Sequence, residues 1–538
     1  MPPSRAKARE LGYFSLVLHA HLPFVRHPEH DDFLEEDWLY EAISETYIPL
    51  LEVFEGLVDD GIPLRVSMSI TPTLASMLAD PLLQSRYVRR INQLIELAER
   101  EVQRTRWLPD FQHTARMYLA RFQACRSFFE DRWRCNLLEA FRQLADASDL
   151  ELLTCAATHG FLPLLSVNPA AVRAQLQVAV QTHRRLLGRD PRGIWLPECG
   201  YTPGVEKELA RHGIRFFIVD AHGLLNAVPK PPCGVFTPIM AGSGVAAFGR
   251  DLESSRSVWS ANEGYPGDPE YRDFYRDVGF DLDYEYVRPY LHGLQTRLPI
   301  GIKYHRITGA TDRKLPYRPE MARERVAVHA ADFVSKRIRQ VRRLHAETGL
   351  RPLVLSPYDA ELFGHWWYEG PLFVDAVLRR LHADRGAVRT MTPVQYLERH
   401  TELLEARLPF SSWGHQGYGE VWLNPTNDWI YPHLHRSADR MSRLADRFPN
   451  ASPQQERALN QMARELLLAQ ASDWAFIMSH KTSVEYAHRR TTDHLARFNR
   501  LYDEVEAGRP VDESVLADME AKDNLFPDLD FRVYSSGL

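Results

Sequence analysis

Seven short apolar runs, each ending in polar residues of an unusual kind, constrain this chain more than any other feature. The first, residues 14–18, ends His19-Ala20-His21. The next, 64–70, alternates cleanly and ends Thr71-Pro72. Residues 150–156 lead to Thr158-His159-Gly160, 193–197 to Glu198, and 216–219 to Asp220-Ala221-His222. Two late runs follow: 353–355, ending Ser356-Pro357-Tyr358-Asp359, and 388–391, ending Thr392-Pro393. Helical stretches such as 169–187 and 206–212 separate most of them. Strand, helix, strand with short connections predicts parallel βαβ units. Polar residues at the C-terminal ends of the strands point to a barrel, where the chemistry sits at that end. No Gly-rich turn follows the first strand, which argues against a dinucleotide-binding open sheet.

Two regions break the alternation. Between the second and third runs Val88, Ile91, Ile95, Ala98 and Val102 recur at three- and four-residue steps, the period of an amphipathic helix. A second helical run covers 117–141. After about residue 405 no strand run recurs, and 457–471 and 482–505 are helical in period. The reading is an α/β chain: an incomplete (β/α)7 TIM-like barrel over 1–405, with 80–148 an inserted helical subdomain and 406–538 a C-terminal helical domain. Pro229, Pro231 and Pro232, then Gly234, Gly242 and Gly244, mark 228–251 as a long loop at the barrel mouth, a lid candidate.

Composition removes whole classes of function. The 65 Lys and Arg against 71 Asp and Glu leave a small net charge of −6 over 538 residues, with no basic face for nucleic acid. No run of about 18 apolar residues exists, so no membrane span is predicted. Five cysteines at irregular spacing, without a CxxC, suit neither a zinc knuckle nor a disulfide framework. Residues 1–12 are basic, but no apolar run follows as in a signal peptide, so a cytoplasmic setting is expected. The 11 Trp and 22 Tyr are more suggestive, since aromatic faces hold sugar rings and other flat ligands.

Several residues could carry chemistry. Glu198 ends an apolar strand beside Gly200, and reads either as a carboxylate at the barrel mouth or as a buried, salt-bridged Glu. Asp359 stands before His365-Trp366-Trp367-Tyr368; desolvation by such a wall raises a carboxyl pKa, as a general acid requires. Its alternative role is helix N-capping. Two such carboxylates are the minimum for glycoside hydrolysis or transfer. His19 and His21, two apart in an extended segment, face one side. With His159, Asp220, His222 and Asp359 they could hold a divalent metal, as in a metal-dependent amidohydrolase or deacetylase. Equally, they could donate to sugar hydroxyls or be satisfied core histidines. Trp413 and Trp422 are stacking platforms or plain core. Asp473 is read as mid-helix, where Asp is a poor helix former, and so as aimed at a ligand or solvated.

Taken together, His19-Ala20-His21-Leu22-Pro23, Thr158-His159-Gly160, Trp195-Leu196-Pro197-Glu198, the long block 356–367 and the Trp413–Trp422 segment resemble glycoside hydrolase family 57 over nearly the whole chain. The resemblance implies a seven-stranded barrel with a helical insert and a C-terminal helical domain, Glu198 as nucleophile and Asp359 as general acid/base. It further implies substrate contacts from Arg250, Gly267, Trp413 and Asp473, and no metal or other cofactor. Within the family the likeness is greatest to the α-glucan branching enzymes, so the expected reaction cleaves an α-1,4 bond of an α-glucan and transfers the chain to a 6-hydroxyl. An α-amylase or 4-α-glucanotransferase is the alternative within the same chemistry. Those relatives carry a long loop with a tyrosine over the site. Here 220–250 contains no Tyr and offers Phe236, so hydrolysis is expected beside branching.

Overall fold

The computed structural model describes residues 10–260, 263–384 and 386–537; the basic N-terminal stretch up to residue 9 lies outside them. Ten strands occur among the described residues: β1 (Gly12–Ala20), β2 (Val66–Ile70), β3 (Glu151–Leu153), β4 (Gly193–Ile194), β5 (Phe216–Val219), β6 (Ile239–Met240), β7 (Ala246–Gly249), β8 (Leu353–Asp359), β9 (Val388–Thr390) and β10 (Leu404–Glu405). One sheet runs β3-β2-β1-β8 and the other β10-β6-β7-β5-β4. They meet at two seams. Thr154, just past β3, bridges Ile194 in β4, and the Asp251 amide, just past β7, donates to the Leu355 carbonyl in β8 at 2.9 Å. The ring is therefore β1-β2-β3-β4-β5-β7-β8, a seven-stranded parallel barrel.

Its membership differs from the expectation at one strand. The segment 228–251 is not a continuous lid: its last part, β7, pairs in parallel with β5 over four residues and belongs to the ring. The Gly and Pro residues mark the start of that segment correctly, but they mask a short Ala-Ala-Phe-Gly strand with too little alternation to register. Conversely β9 pairs only with Gly12–Phe14 at the base of β1 and is not a ring strand.

Alternation along the strands fills the barrel. Tyr13, Val17, Phe216, Ile218, Phe248, Leu353 and Leu355 pack inside it with Leu153 and Trp195. Phe14, Leu16 and Leu18 face the surrounding helices. Each such side chain contributes on the order of 1.5–3 kcal/mol by leaving water.

Helices Pro81–Arg104, Pro109–Arg126 and Leu137–Ala147 occupy the inserted stretch, with Ile91, Ile95 and Ala98 buried. The largely aperiodic segment 263–318, which periodicity does not resolve, packs on these helices. Arg90 donates to the Tyr290 carbonyl at 3.0 Å, and the Tyr304 hydroxyl donates to Glu101 at 2.8 Å. At the C-terminal end the principal helices are Ile430–Arg447, Pro453–Ala469, Ser472–His480, Val484–Glu506 and Glu513–Lys522. The chain breaks at Gln470-Ala471, so Asp473 lies in the first turn of a helix rather than mid-helix. A carboxylate there complements the helix dipole. The Ser472 amide donates to the His159 carbonyl at 3.1 Å, which docks that first turn on the barrel mouth.

Candidate active site

Strand register builds the first part of the site. His19 of β1 stands level with Ser69 of β2 on one side and Asp359 of β8 on the other. Level residues of neighbouring parallel strands project to the same face, so all three point inward at the C-terminal end. The His19 ring is buried, bonded through Nδ1 to Ser69 Oγ at 2.6 Å, and stacked on Trp195 at 4.5 Å. His21, beyond the strand end, bonds Thr71 Oγ1 through Nδ1 at 3.1 Å and Asp473 Oδ1 through Nε2 at 2.9 Å. His159 completes the group. Its Nε2 meets that of His19 at 3.0 Å, its Nδ1 meets Ser472 Oγ at 2.8 Å, and its ring stacks on His21 at 3.8 Å.

Glu198 sits where β4 turns out of the barrel, in the left-handed region at φ 62°, ψ 24°, followed by Cys199 at φ 49°. Non-glycine residues are strained there by on the order of 1–3 kcal/mol, a cost that persists only where the surroundings impose it. The surroundings are specific: Trp413 Nε1 donates to Oε2 at 2.7 Å and Ser472 Oγ to Oε1 at 2.8 Å, while the Trp413 amide donates to the Glu198 carbonyl at 2.9 Å. Glu198 is thus buried and hydrogen-bonded rather than tied in a strong salt bridge, its His159 contact being 3.6 Å. Asp359 precedes a 3-10 turn but makes no side-chain cap bond, so N-capping does not account for it.

Both carboxylates open on one cleft of about 980 Å³, lined also by His19, His21, His159, Arg250, Trp413, Trp422 and Asp473. Arg250 is held by Asp220 at 3.3 Å and by Ser255. Trp413 is half-buried, edge-on to Trp195, whereas Trp422 is buried and stacked on Phe161 at 4.9 Å. Two expected residues stand elsewhere. Gly267 is exposed on the turn Tyr265–Gly267 and Phe236 packs beside the core on Gly234–Phe236; neither lines the cleft. Asp220 and His222 pair with each other at 3.8 Å and also lie off the lining.

Three contributors, Glu361, Ser472 and Phe274, are not singled out by the sequence reading, whereas Trp366 belongs to the aromatic wall it expects. Glu361, two residues past Asp359, lines the cleft and accepts from the Tyr47 hydroxyl at 2.6 Å and the His21 amide at 3.1 Å. Ser472 links His159 to Glu198. Phe274 and Trp366 stack at 4.4 Å, with Trp366 54% exposed, as an aromatic wall. The aromatic run around Trp366 carries a signal for that wall; Ser472 carries none.

Burial dominates the electrostatics. It raises Glu198 to about 7, against the downward pull of the Trp413 and Ser472 hydrogen bonds. Asp359 lies well above the carboxylate range, through burial first and then the charges of Glu361 and Glu198. Glu361 itself is raised to about 7 by burial. His19 and His159 are held well below the imidazole range by burial and by His21. For His21 burial acts downward, but Asp473, Glu198 and Glu361 together outweigh it and raise the pKa. The donor atoms of His21, His159 and Asp473 lie within 4.8 Å of one another, as do those of His19, Cys155 and His159, so three of the residues that could hold a metal are gathered.

A parallel barrel holding one buried and one partly buried carboxylate, unequal in their surroundings, in an aromatic cleft defines a candidate carbohydrate-active enzyme. The chain belongs to glycoside hydrolase family 57. Residues 15–404 match the family described as Glycosyl hydrolase family 57, and 433–534 match the one described as 1,4-alpha-glucan branching enzyme, C-terminal. A crystal structure titled as the alpha-amylase AmyC from Thermotoga maritima is 45% identical, with a TM-score of 0.91 over 97% of this chain and 99% of that one. One titled as a branching enzyme of the same family from Pyrococcus horikoshii is 33% identical, with a TM-score of 0.88 over 98% and 97%. A 1,4-alpha-glucan branching enzyme of Thermococcus kodakarensis is 34% identical over 96% of this chain and 77% of its own length. No helix among the described residues is long and apolar enough to cross a membrane.

Proposed function

We propose that this chain is a retaining α-glucan branching enzyme, with Glu198 as nucleophile and Asp359 as general acid/base. The observation that carries the reading is the unequal pair: one carboxylate accepts two hydrogen bonds that oppose its desolvation, and the other is raised by desolvation and by the like charges of Glu361 and Glu198. Environments that push two carboxyls apart assign base and acid roles. Glu198 attacks C1 of an α-1,4-linked glucose while Asp359 gives its proton to the departing O4. The C1–O4 bond breaks as the ester to Glu198 forms. Asp359, now ionised, takes the proton of a 6-hydroxyl on a second glucan, whose oxygen displaces Glu198 and closes an α-1,6 bond. Asp473 and Arg250 are positioned to receive glucan hydroxyls, and five free thiols suit a reducing, cytoplasmic setting.

A second reading, hydrolysis with water as acceptor, is favoured by the 45% identity to a structure titled as an α-amylase and by the position of Phe236 off the cleft. Incubation with amylose decides between them. Proton NMR counts new α-1,6 linkages while a reducing-end assay counts hydrolysis; reducing ends alone would assign the amylase reaction, and no change in either would overturn both readings.

The Trp413 indole is more than a stacking surface, because its N–H holds Glu198 toward ionisation. In Trp413→Phe the ring stays and the donor goes. A hydrogen bond to a charged group contributes about 1.5–3 kcal/mol, so the Glu198 pKa should rise by about one or more. Since Glu198 must be ionised, the acid limb of the kcat/KM profile is expected to move to higher pH. An unmoved limb with reduced activity would leave Trp413 a platform only.

Glu361→Gln tests the neighbouring charge. The amide keeps an acceptor for Tyr47 and removes a negative charge that raises Asp359. Asp359 then loses its proton at lower pH, so the alkaline limb of the same profile is expected to move toward acid.

A further inference from the structure

Away from the cleft, a cavity of about 200 Å³ opens between the loop after β1 and the helix Val484–Glu506. We infer that this cavity is a binding site for a phosphate group, free or carried on a small sugar. Five cationic side chains line it: Arg26, Arg489, Arg490, Arg497 and Lys522. Three acids face it as well, Glu29, Asp493 and Asp523. Three of the cations are already engaged: Arg26 with Asp80 at 3.0 Å, Arg497 with Asp523 at 2.5 Å, and Lys522 with Asp518 at 2.9 Å.

The other two have no close counter-charge among the described residues. Arg490 is 6% exposed, and its one ion pair among the described residues, to Asp523, is stretched to 3.8 Å. Its Nε and Nη2 find no hydrogen-bond acceptor among the described residues. The guanidinium is packed instead against Trp474 at 5.6 Å and Tyr486 at 5.9 Å. Arg489 is exposed, lies over Tyr486 at 5.6 Å, and has no carboxylate within 4.0 Å among the described residues. A buried cation without a close counter-charge is costly, and an anion in the space it lines supplies what the protein does not. Guanidinium forks match the oxygens of phosphate geometrically. The field agrees: His27, on the same wall, is pushed down to about 2 by burial and then by Arg490, His30, Arg489 and Arg86. Phe33, stacked with His27 at 3.6 Å and His30 at 5.2 Å, offers an apolar face to the remainder of a phosphorylated sugar.

The site does not depend on the proposed glucan chemistry, because it is tested by binding. Calorimetry on the full chain at low ionic strength uses inorganic phosphate and glucose 6-phosphate as probes and glucose as the uncharged control. Both phosphates are expected to bind with an affinity that the arginine variants below weaken, while any binding of glucose, which belongs to the cleft, is expected to be unmoved by those variants. Tighter binding of the ester identifies a sugar phosphate as the fitting ligand, and equal binding identifies the free ion. Arg490→Gln is expected to weaken binding about tenfold or more, and Arg489→Gln several-fold, the scale of a lost charge-assisted bond. Glu29→Gln removes a facing negative charge and is expected to tighten it. Should Arg490→Gln fail to fold, the exposed Arg489→Gln and the opposite-signed Glu29→Gln still decide. Absence of binding at millimolar probe, or affinities unmoved in these variants, would overturn the site.

Discussion

Glu198→Gln is expected to reduce turnover of amylose by on the order of 10⁴-fold, the scale lost when one member of a catalytic unit is removed. Glutamine fits the same space and keeps a carbonyl oxygen for Ser472 or Trp413, so the cleft should survive. What disappears is an anionic oxygen able to form the ester at C1. Stability supplies a control with a definite sign. Glu198 titrates at about 7 in the folded chain against an ordinary value of 4.5. A carboxyl raised by folding leaves the fold undisturbed while protonated and weakens it as pH rises from about 4.5 through about 7. A tenfold change in proton affinity corresponds to about 1.4 kcal/mol, so the penalty above pH 7 is a few kcal/mol at most. The glutamine variant carries no such charge. Its Tm should match wild type near pH 4 and equal or exceed it at pH 8. Full activity on amylose would end the assignment of Glu198, whereas lost activity with a lower Tm at pH 8 would mark a folding defect instead.

How much of this site is legible in the chain depends on distance along it. His19, His21, Glu198 and Asp359 are readable because each ends an apolar run, and a strand end is a local signal. Their convergence is not readable one by one. The row Ser69, His19, Asp359 comes from register across three strands far apart in sequence. Ser472 is the clearest case: it bonds Glu198 and His159, yet as a serine at the start of a helix it carries no mark of function. Asp473 stands out as a poor mid-helix residue on a mistaken premise, because the helix begins at Ser472; what the structure shows is that it lines the cleft. Glu361 is hidden inside the same block as Asp359, since a second carboxylate two residues on looks like surface until the turn Ala360–Leu362 folds it inward. The barrel class follows from alternation, but strand β7 does not. Four small or aromatic residues next to glycines read as loop until β5 pairs with them. Gly267 enters the expected site through resemblance alone, and the structure puts it on an exposed turn.

Asp359→Asn is expected to separate the two halves of the reaction. On amylose the variant should lose about 10²–10⁴-fold, the usual range for removing a general acid, because O4 of a glucose leaves poorly without a proton. An aryl α-maltoside with an acidic phenol leaves unaided, so the first step should survive in the variant. The second step should not, because no base remains to take the proton of an acceptor hydroxyl. The ester on Glu198 then accumulates, which predicts a burst of phenol equal to the enzyme concentration followed by slow turnover. Azide, an anion that needs no deprotonation, should restore turnover and yield a glycosyl azide. The alkaline limb of the pH profile, set in wild type by a carboxyl well above the ordinary range, should vanish with the side chain. Equal losses on amylose and on the activated maltoside, with no burst and no rescue, would mean that Asp359 shapes the cleft and that the proton comes from another group. Glu361 would then be the first to examine, since it lines the same wall and titrates at about 7.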